Sequence, residues 1–520
     1  MRTWLHPILT PEEALSWETR LLGEDEARTW EAMTAAGRAL GAAIWRDFPE
    51  AGTPANPFRV LLLAGKGHNA GDGLVALKHL AESGIALEVD VVAASEPGAL
   101  RPLTSRALRG AVRALGGALH WRLWSPRTAE LLQGRRWDLC LDGLLGMRFR
   151  PPLRDPGGAI LRWVANAADR VRFRAAIDLP SGVGEGDGFH ADATYATGIC
   201  KSPLTEAGAS SQAGRIRYLD IGFFDAAVPD GEAKEWVVHD GILDALRRVR
   251  PADSEKRTYG RVLVVGGSRA MPGAVLMAAR AAVRGGAGLV TVAVPGRFAG
   301  RLAGACPEAM WLPMPELPGG QPAPDSLALL HEAAKRADAM VVGPGMDTDF
   351  GTRQLIVKVV RDCHLPTVVD ASGLYPEVVA SALARPERSG PVVVTPHLGE
   401  YARLLRRERV RYDRDALLEF CRRHRVISVL KGPFTRVCDG SRICFCPAGG
   451  PLLARGGSGD ILAGLIGARL AGGASGSALE ETVRAVYWHG AAADSLARRR
   501  GAVAVATTDL LDGLADALRA

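Results

Sequence analysis

The chain lacks cysteine pairs with metal-ligand spacing. Its 8 cysteines, at 140, 200, 306, 363, 421, 438, 444 and 446, form no CxxC, which sets zinc aside and leaves thiols in a reducing compartment as the default. A Walker A sequence, GxxxxGK[ST], is also missing, so that type of phosphate loop is excluded. No apolar run approaches the roughly 18 residues of a membrane span. The opening MRTWLHPILTPEEALSWE lacks a signal peptide's basic start and unbroken apolar core; a cytoplasmic protein without membrane contact is expected. The formal charge is +7, but no basic run interleaves with aromatics, so nucleic acid binding has no support. Lysine is scarce, found only at 66, 78, 201, 234, 256, 335, 358 and 431. A lysine kept where arginine is the habitual choice draws attention, because its compact ammonium is a different tool.

What is present is an ordinary globular composition, 47% hydrophobic and 23% charged over 520 residues, long enough for two or more domains. Apolar, β-rich runs such as RVLLLAG (59–65), LEVDVVA (87–93), DLCLDGLLG (138–146) and RFRAAIDLP (172–180) are separated by helical segments. The same alternation restarts at RVLVVGG (261–267). Near-continuous apolar strands between helices predict parallel sheets covered on both faces, hence two three-layer α/β domains. The stretch around 225–240 carries no strand motif of the second half and contains Pro229 and Gly231. The expected organisation is 1–225, a linker at 226–240, and 241–520. Ligands in such sheets lie beyond the carboxyl ends of strands, so the residues closing each strand carry most weight.

In the second half these strand ends read GGSRAMPGA (266–274), GPG (343–345), TPHLGE (395–400), KGPFT (431–435) and GGSGD (456–460). Small residues before Asp460 open a helix whose first N–H groups lack intrahelical partners, which makes an anion site. Asp460 then either caps that helix or works beside a bound phosphate as a base. Its place near the N–H groups of Gly457, Ser458 and Gly459 favours the ionised form by roughly 0.3–1 kcal/mol, so a charged carboxylate at neutral pH is expected.

Taken in this order, the motifs resemble the ribokinase-like, ADP/ATP-dependent NAD(P)H-hydrate dehydratases over nearly all of 240–520. The resemblance implies a ribokinase-like fold and a nucleotide held by Lys431, Gly432, Pro433, Phe434, Thr435 and Gly459. It places the hydrated nicotinamide ring against Ala274, Gly345, His397 and Asp460, and makes Asp460 the catalytic base. Mg2+ would accompany ADP or ATP. Phosphorylating the C6 hydroxyl turns a poor leaving group into phosphate, whose elimination restores NADH or NADPH. In VVDASGL, Ser372 stands where that family usually has an Asp. The alternative is a ribokinase-like kinase of a small alcohol that releases its phosphorylated product.

In the first half Gly65-Lys66-Gly67-His68-Asn69-Ala70 follows a strand and formally fits GxGxxG/A, with Asp90 placed as a ribose-binding acid would be; a hydride-transferring dehydrogenase is therefore a rival. Asp142, Asp178 and Ser181 close the next strands with oxygen ligands suited to a hard or monovalent cation. Residues 1 to about 225 resemble the NAD(P)H-hydrate epimerases, implying a Rossmann-like fold. By that resemblance Asn69, Asp142 and Ser181 bind potassium and Asp178 is the catalytic acid nearest the ring. His68, Asn69, Ala70, Gly71 and Asp72, with Gly146, Met147, Arg148, Phe149, Arg150, Pro151 and Pro152, contact the substrate. His68 and Ala70 replace an Asn and a Gly, and Ala70 is expected to strain the loop if the backbone there needs positive φ. A non-enzymatic reading makes this half a binding or regulatory module. The two resemblances together imply a repair enzyme acting on NADHX and NADPHX, with ADP or ATP as co-substrate and a homo-oligomeric state.

Overall fold

The computed structural model describes residues 4–206, 208–229, 233–472 and 476–519; Gly231 of the expected linker lies outside them. The chain divides into two compact units. One is His6–Ala233 with Ala497–Gly501; the other is built mainly from Lys234–Leu496 and the stretch after Gly501.

The first unit holds seven strands in the order 119–123, 87–93, 58–64, 137–143, 171–177, 193–197 and 215–219, every neighbour pair parallel. An inner strand, Phe58–Ala64, is apolar at all but Arg59 because both of its faces are covered. Val60 and Leu62 pack with Leu40, Ile44, Leu74 and Leu77 on one side. Leu61 and Leu63 pack with Ile160 and Leu161 on the other. That division makes the three layers. The chain runs outward from Phe58–Ala64 through Leu87–Ala93 to Leu119–Leu123, then returns to Trp137–Gly143 on the opposite side. The loops leaving Ala64 and Gly143, register partners, therefore diverge and open a crevice at the strands' carboxyl ends.

The second unit has an eleven-stranded sheet whose central part repeats the same logic. Strands 310–314, 289–295, 261–265, 339–342, 367–369, 392–394 and 426–430 are parallel in that spatial order. An antiparallel hairpin, Thr435–Cys438 and Ile443–Cys446, extends the sheet. The order of the strands reverses between Arg261–Val265 and Ala339–Val342, so the loops after Val265 and Val342, register partners, diverge at a second crevice. Leu263, Val265, Met340 and Val342 face Ile356 and Val360. On the other side, helices Pro272–Arg284 and Ser458–Ala471 lie close together: a Cβ at Gly464 would sit 2.1 Å from the Ala278 carbonyl oxygen. All 8 cysteines are buried thiols. No helix among the described residues is long and apolar enough to cross a membrane.

Each unit owns a covered sheet, so we expect a fragment starting near residue 230 to fold alone, since a unit with its own core needs few contacts beyond it. A soluble fragment with a cooperative thermal transition is the expected result. Insolubility or non-cooperative melting, across two or three start points, would contradict it.

Candidate active sites

The second unit's crevice is organised by an aspartate and a lysine. Asp370 closes strand Thr367–Val369 and is 2% exposed. Its Oδ1 accepts from Thr395 Oγ1 at 2.6 Å and from Lys431 Nζ at 3.0 Å. Glu400 lies 4.0 Å from the same ammonium. Burial works against the charge on Lys431, but Asp370 and Glu400 outweigh it, and the pKa rises above the usual lysine value. Lys431 follows strand Val426–Leu430, and its N–H donates to the Pro396 carbonyl at 2.8 Å, which draws the KGPFT turn to TPHLGE. Gly432 and Pro433 are exposed in that turn, Thr435 Oγ1 donates to the Gly432 carbonyl, and Phe434 is set edge-on to Phe445.

Helix Ser458–Ala471 starts against this pair. A Cβ at Gly459 would lie 3.2 Å from Lys431 Nζ and 3.6 Å from Asp370 Oδ2. Gly457 is the cap, at φ +91°, without any side-chain cap hydrogen bond. Only glycine adopts that conformation freely, and a Cβ there would also strike Met277. Asp460 is thus inside the first turn and does not cap the helix. Burial and then Asp370 raise its pKa to about 7 despite the opposing Lys431. The expectation of a charged carboxylate at neutral pH is corrected: desolvation beside a second acid outweighs the helix terminus. The Ser458 N–H is also partly engaged, donating to the Arg455 carbonyl at 3.3 Å.

Gly345, at φ +67°, sits where a Cβ would meet the Met271 carbonyl at 2.3 Å and Ala274 Cβ at 2.9 Å, so GPG and MPGA are in contact. His397 caps helix Leu398–Leu404: its Nδ1 accepts from the N–H groups of Gly399 and Glu400, while its Nε2 is 3.5 Å from Glu400. Ser372 donates to the Met346 carbonyl at 2.7 Å and is buried. One residue without a sequence signal joins the group. His489, buried on helix Ala478–Arg500, is kept neutral with a pKa of about 4 by burial and by Lys431, with a hydrogen bond to the Ser458 backbone opposing them.

In the first unit the loop 65–67 leads into helix His68–Glu82, capped by Gly67 without a side-chain bond. His68 to Asp72 occupy its opening turns. Ala70 is fully buried in the helix and is not among the residues with positive φ, so the expected strain is absent. Asn69 Nδ2 donates to the carbonyls of Leu145 and Ile177, both at 3.0 Å, leaving Oδ1 as the group available to a cation. Asp142 accepts from Ser181 Oγ and Ser181 N at 2.7 Å each, and from Leu144 N. Burial pushes its carboxyl up to about 6 against these bonds. Ser181 thus binds Asp142 directly and is linked to Asn69 through Leu145, whose N–H donates to Ser181 Oγ at 2.8 Å; a buried carboxylate there gains from a bound positive ion. Residues 146–152 form a partly exposed loop, with Arg148 and Arg150 to Pro152 outermost. His68 has a lowered pKa, through partial burial and then Arg101 and Arg148. Asp90 serves no ribose: it is 1% exposed and bonded to Trp137 Nε1 at 3.0 Å and Arg135 Nε at 2.6 Å.

Asp178 has φ +67°, a conformation costing an aspartate about 1–3 kcal/mol. Its N–H donates to the Tyr195 carbonyl at 2.8 Å, and Oδ1 accepts from Lys201 Nζ at 2.6 Å. Lys201 is 1% exposed. An unpaired buried ammonium would cost several kcal/mol, so this contact and Glu18, at 4.0 Å, are required partners.

Comparison with known proteins fits both crevices. Residues 262–515 match the NAD(P)H-hydrate dehydratase family, and residues 30–201 the family described as YjeF-related protein N-terminus. The bifunctional NAD(P)H-hydrate repair enzyme of Moorella thermoacetica is 34% identical over 94% of this chain and 92% of its own. That of Gloeobacter violaceus is 34% identical over 93% and 92%. The chain belongs to the bifunctional NAD(P)H-hydrate repair enzymes. Among solved structures, the ADP/ATP-dependent NAD(P)H-hydrate dehydratase of Bacillus subtilis, co-crystallised with ATP/Mg2+, is 27% identical, covering 53% of this chain and 96% of that one at a TM-score of 0.44.

In this family member the structure brings Lys431, Gly459, Asp460 and the His397 turn together around Asp370, and Gly345 against Ala274; in the first unit it bonds Ser181 to Asp142 and Asp178 to Lys201. Asp370, Glu400 and His489 on one side, and Lys201 and Glu18 on the other, were not singled out as site residues. Asp370 was open to the strand-end rule, and Lys201 to the scarcity of lysine. The Asp460 carboxyl should titrate by NMR with a midpoint of about 7 in the unliganded protein. Asp370→Asn removes an acid that raises it, and the midpoint should fall; Lys431→Met should move it up. A wild-type midpoint in the ordinary carboxylate range would contradict this electrostatic account.

Proposed function

We propose that the chain repairs hydrated nicotinamide nucleotides in two steps, epimerising R and S NAD(P)H hydrates in the first unit and dehydrating the S form in the second. The observation that carries the reading is the place of Asp460: a carboxyl free of capping duty in the first turn of its helix, beside Asp370 and Lys431, where burial and then Asp370 push its pKa up to about 7. A base with a pKa near the operating pH is well matched to proton transfer. Asp460 takes the C6 hydroxyl proton as the oxygen attacks the terminal phosphoryl group of ADP or ATP. AMP or ADP leaves, and phosphate then eliminates from C6 with a C5 proton to give NAD(P)H. Lys431 and the turn through Thr435, with Gly459, hold the nucleotide; Ala274, Gly345 and His397 border the ring. Mg2+, when bound with the nucleotide, would screen the charge of its phosphates. Positioning and charge stabilisation supply most of the rate.

In the first unit Asp178 is the catalytic acid–base group, and residues 68–72 and 146–152 border the substrate. Asn69 Oδ1, the Asp142 carboxylate and Ser181 Oγ would hold potassium. That ion would neutralise the buried Asp142 and fix the two loops that meet there. Family membership across both halves supports repair over the alternative of a small-alcohol kinase with a binding module in front.

Asp460→Asn should keep nucleotide affinity and lose roughly 10²–10⁴-fold or more in turnover, as expected for removal of a general base; near wild-type rates would remove Asp460 from the chemistry. Lys431→Ala should weaken nucleotide binding, and unchanged affinity would contradict its role. With both epimers supplied, Asp178→Asn should leave the R form to its slow spontaneous exchange while S-form turnover stays normal. If wild-type protein clears the R form no faster than this variant, the first unit is a binding module.

A further inference from the structure

The first unit buries more acid–base machinery than one catalytic aspartate accounts for. Two carboxyl groups flank one ammonium, and a third, on Asp72, is buried within reach of all three charges. Asp178 closes strand Val171–Ile177, Glu18 comes from helix Pro11–Leu22, Asp72 from helix His68–Glu82, and Lys201 from the segment after strand Ala193–Thr197. Lys201 Nζ is 2.6 Å from Asp178 and 4.0 Å from Glu18. Asp178, Asp72 and Lys201 are 4%, 8% and 1% exposed.

Asp178 and Asp72 are both buried and Glu18 is only partly exposed, so three negative charges against one ammonium are disfavoured and the cluster retains protons. Asp178 is in direct contact with the ammonium and is the carboxylate whose charge is matched. Asp72 has no such contact. The groups acting on it are Asp178, Glu18 and Lys201; burial, then the two acids, hold its pKa well above the usual range against the lysine. Glu18 is raised as well, by burial first and by Asp178, with Lys201 and Arg148 opposing. Lys201 stays charged: burial lowers its pKa, but Asp178 and Glu18 more than compensate.

Resting on the epimerase reading of this crevice, we propose that Asp72 is the general acid complementing Asp178 as base, and that Lys201 and Glu18 are positioning residues that keep the two carboxyl groups in opposite protonation states. The chemistry asks for such a couple. The hydrated ring is a hemiaminal, with a hydroxyl on C6 beside the ring nitrogen N1. Asp178 accepts the hydroxyl proton; the C6–O bond becomes a carbonyl as the C6–N1 bond breaks, its electron pair moving to N1, and Asp72 gives N1 a proton. Rotation about C5–C6 presents the other face of the aldehyde. Closure then returns the N1 proton to Asp72, forms C6–N1 and restores the hydroxyl with the proton held on Asp178. Nothing is consumed, and each group ends as it began.

The test uses the full chain with potassium, purified R or S hydrate and no ADP or ATP, following R/S exchange by NMR. Wild type should exchange the epimers faster than buffer, with kcat falling at high pH as the acid is lost. Asp72→Asn should lower kcat by about 10²-fold or more with little change in KM, and should abolish the high-pH fall. Lys201→Met should lower kcat to a similar extent. Glu18→Gln, at a partly exposed position that does not empty the core, should lower kcat less and displace the pH profile. Should Lys201→Met fail to fold by thermal melting, the other two variants decide. Wild-type exchange together with unchanged kcat and pH profile in Asp72→Asn and Glu18→Gln would overturn the acid–base couple while leaving the epimerase reading intact. A wild type no faster than buffer would instead overturn the reading, and the couple with it.

Discussion

Each unit depends on one interaction, a buried aspartate at a strand's carboxyl end held by a lysine. In the first unit it is Asp178 with Lys201, and in the second Asp370 with Lys431. Backbone strain marks the same places: Asp178 itself and Ala371, directly after Asp370, both have positive φ. A parallel sheet tolerates such strain because its strands are fixed on both sides, and the pair then compensates for the cost of burying two charges. Removing either partner would leave the other charge uncompensated in the crevice.

These pairs set the electrostatics of what surrounds them. In the second unit Asp370 and Lys431 act on Asp460 in opposite directions, and with burial they bring it to about 7. Lys431 and burial also keep His489 neutral beneath the helix start. In the first unit the Lys201 pair lies among further buried acids, while Asp142, three residues before Leu145 and bonded to Ser181, is pushed up to about 6 mainly by desolvation. The crevices thus differ in chemistry although both lie where strand order reverses.

Much of this was legible in the sequence because it is carried by local signals. Strand 339–342 is apolar throughout and strand 58–64 at all but Arg59, and small residues at 343–345 and 456–459 mark close backbone approach. Asp142 and Ser181 follow from strand ends, and the structure bonds them to each other and links Ser181 to Asn69 through Leu145. Long-range burial was not legible. The state of Asp460 depends on Asp370, 90 positions earlier in the chain, and a helix-terminus argument alone gave the wrong direction. The Gly-rich pattern around Ala70 suggests a loop with positive φ, whereas the helix begins at His68 and takes Ala70 in. Glu18 lies on a helix far from every motif and reaches the site only through folding.

The most direct test of repair is to supply chemically hydrated NADPH, containing both epimers, with ADP or ATP and Mg2+, and to follow NADPH absorbance and phosphate release together. Complete consumption of the pool, with one phosphate released per NADPH regenerated, is the predicted result. Accumulation of a stable phosphorylated alcohol without NADPH would contradict the account.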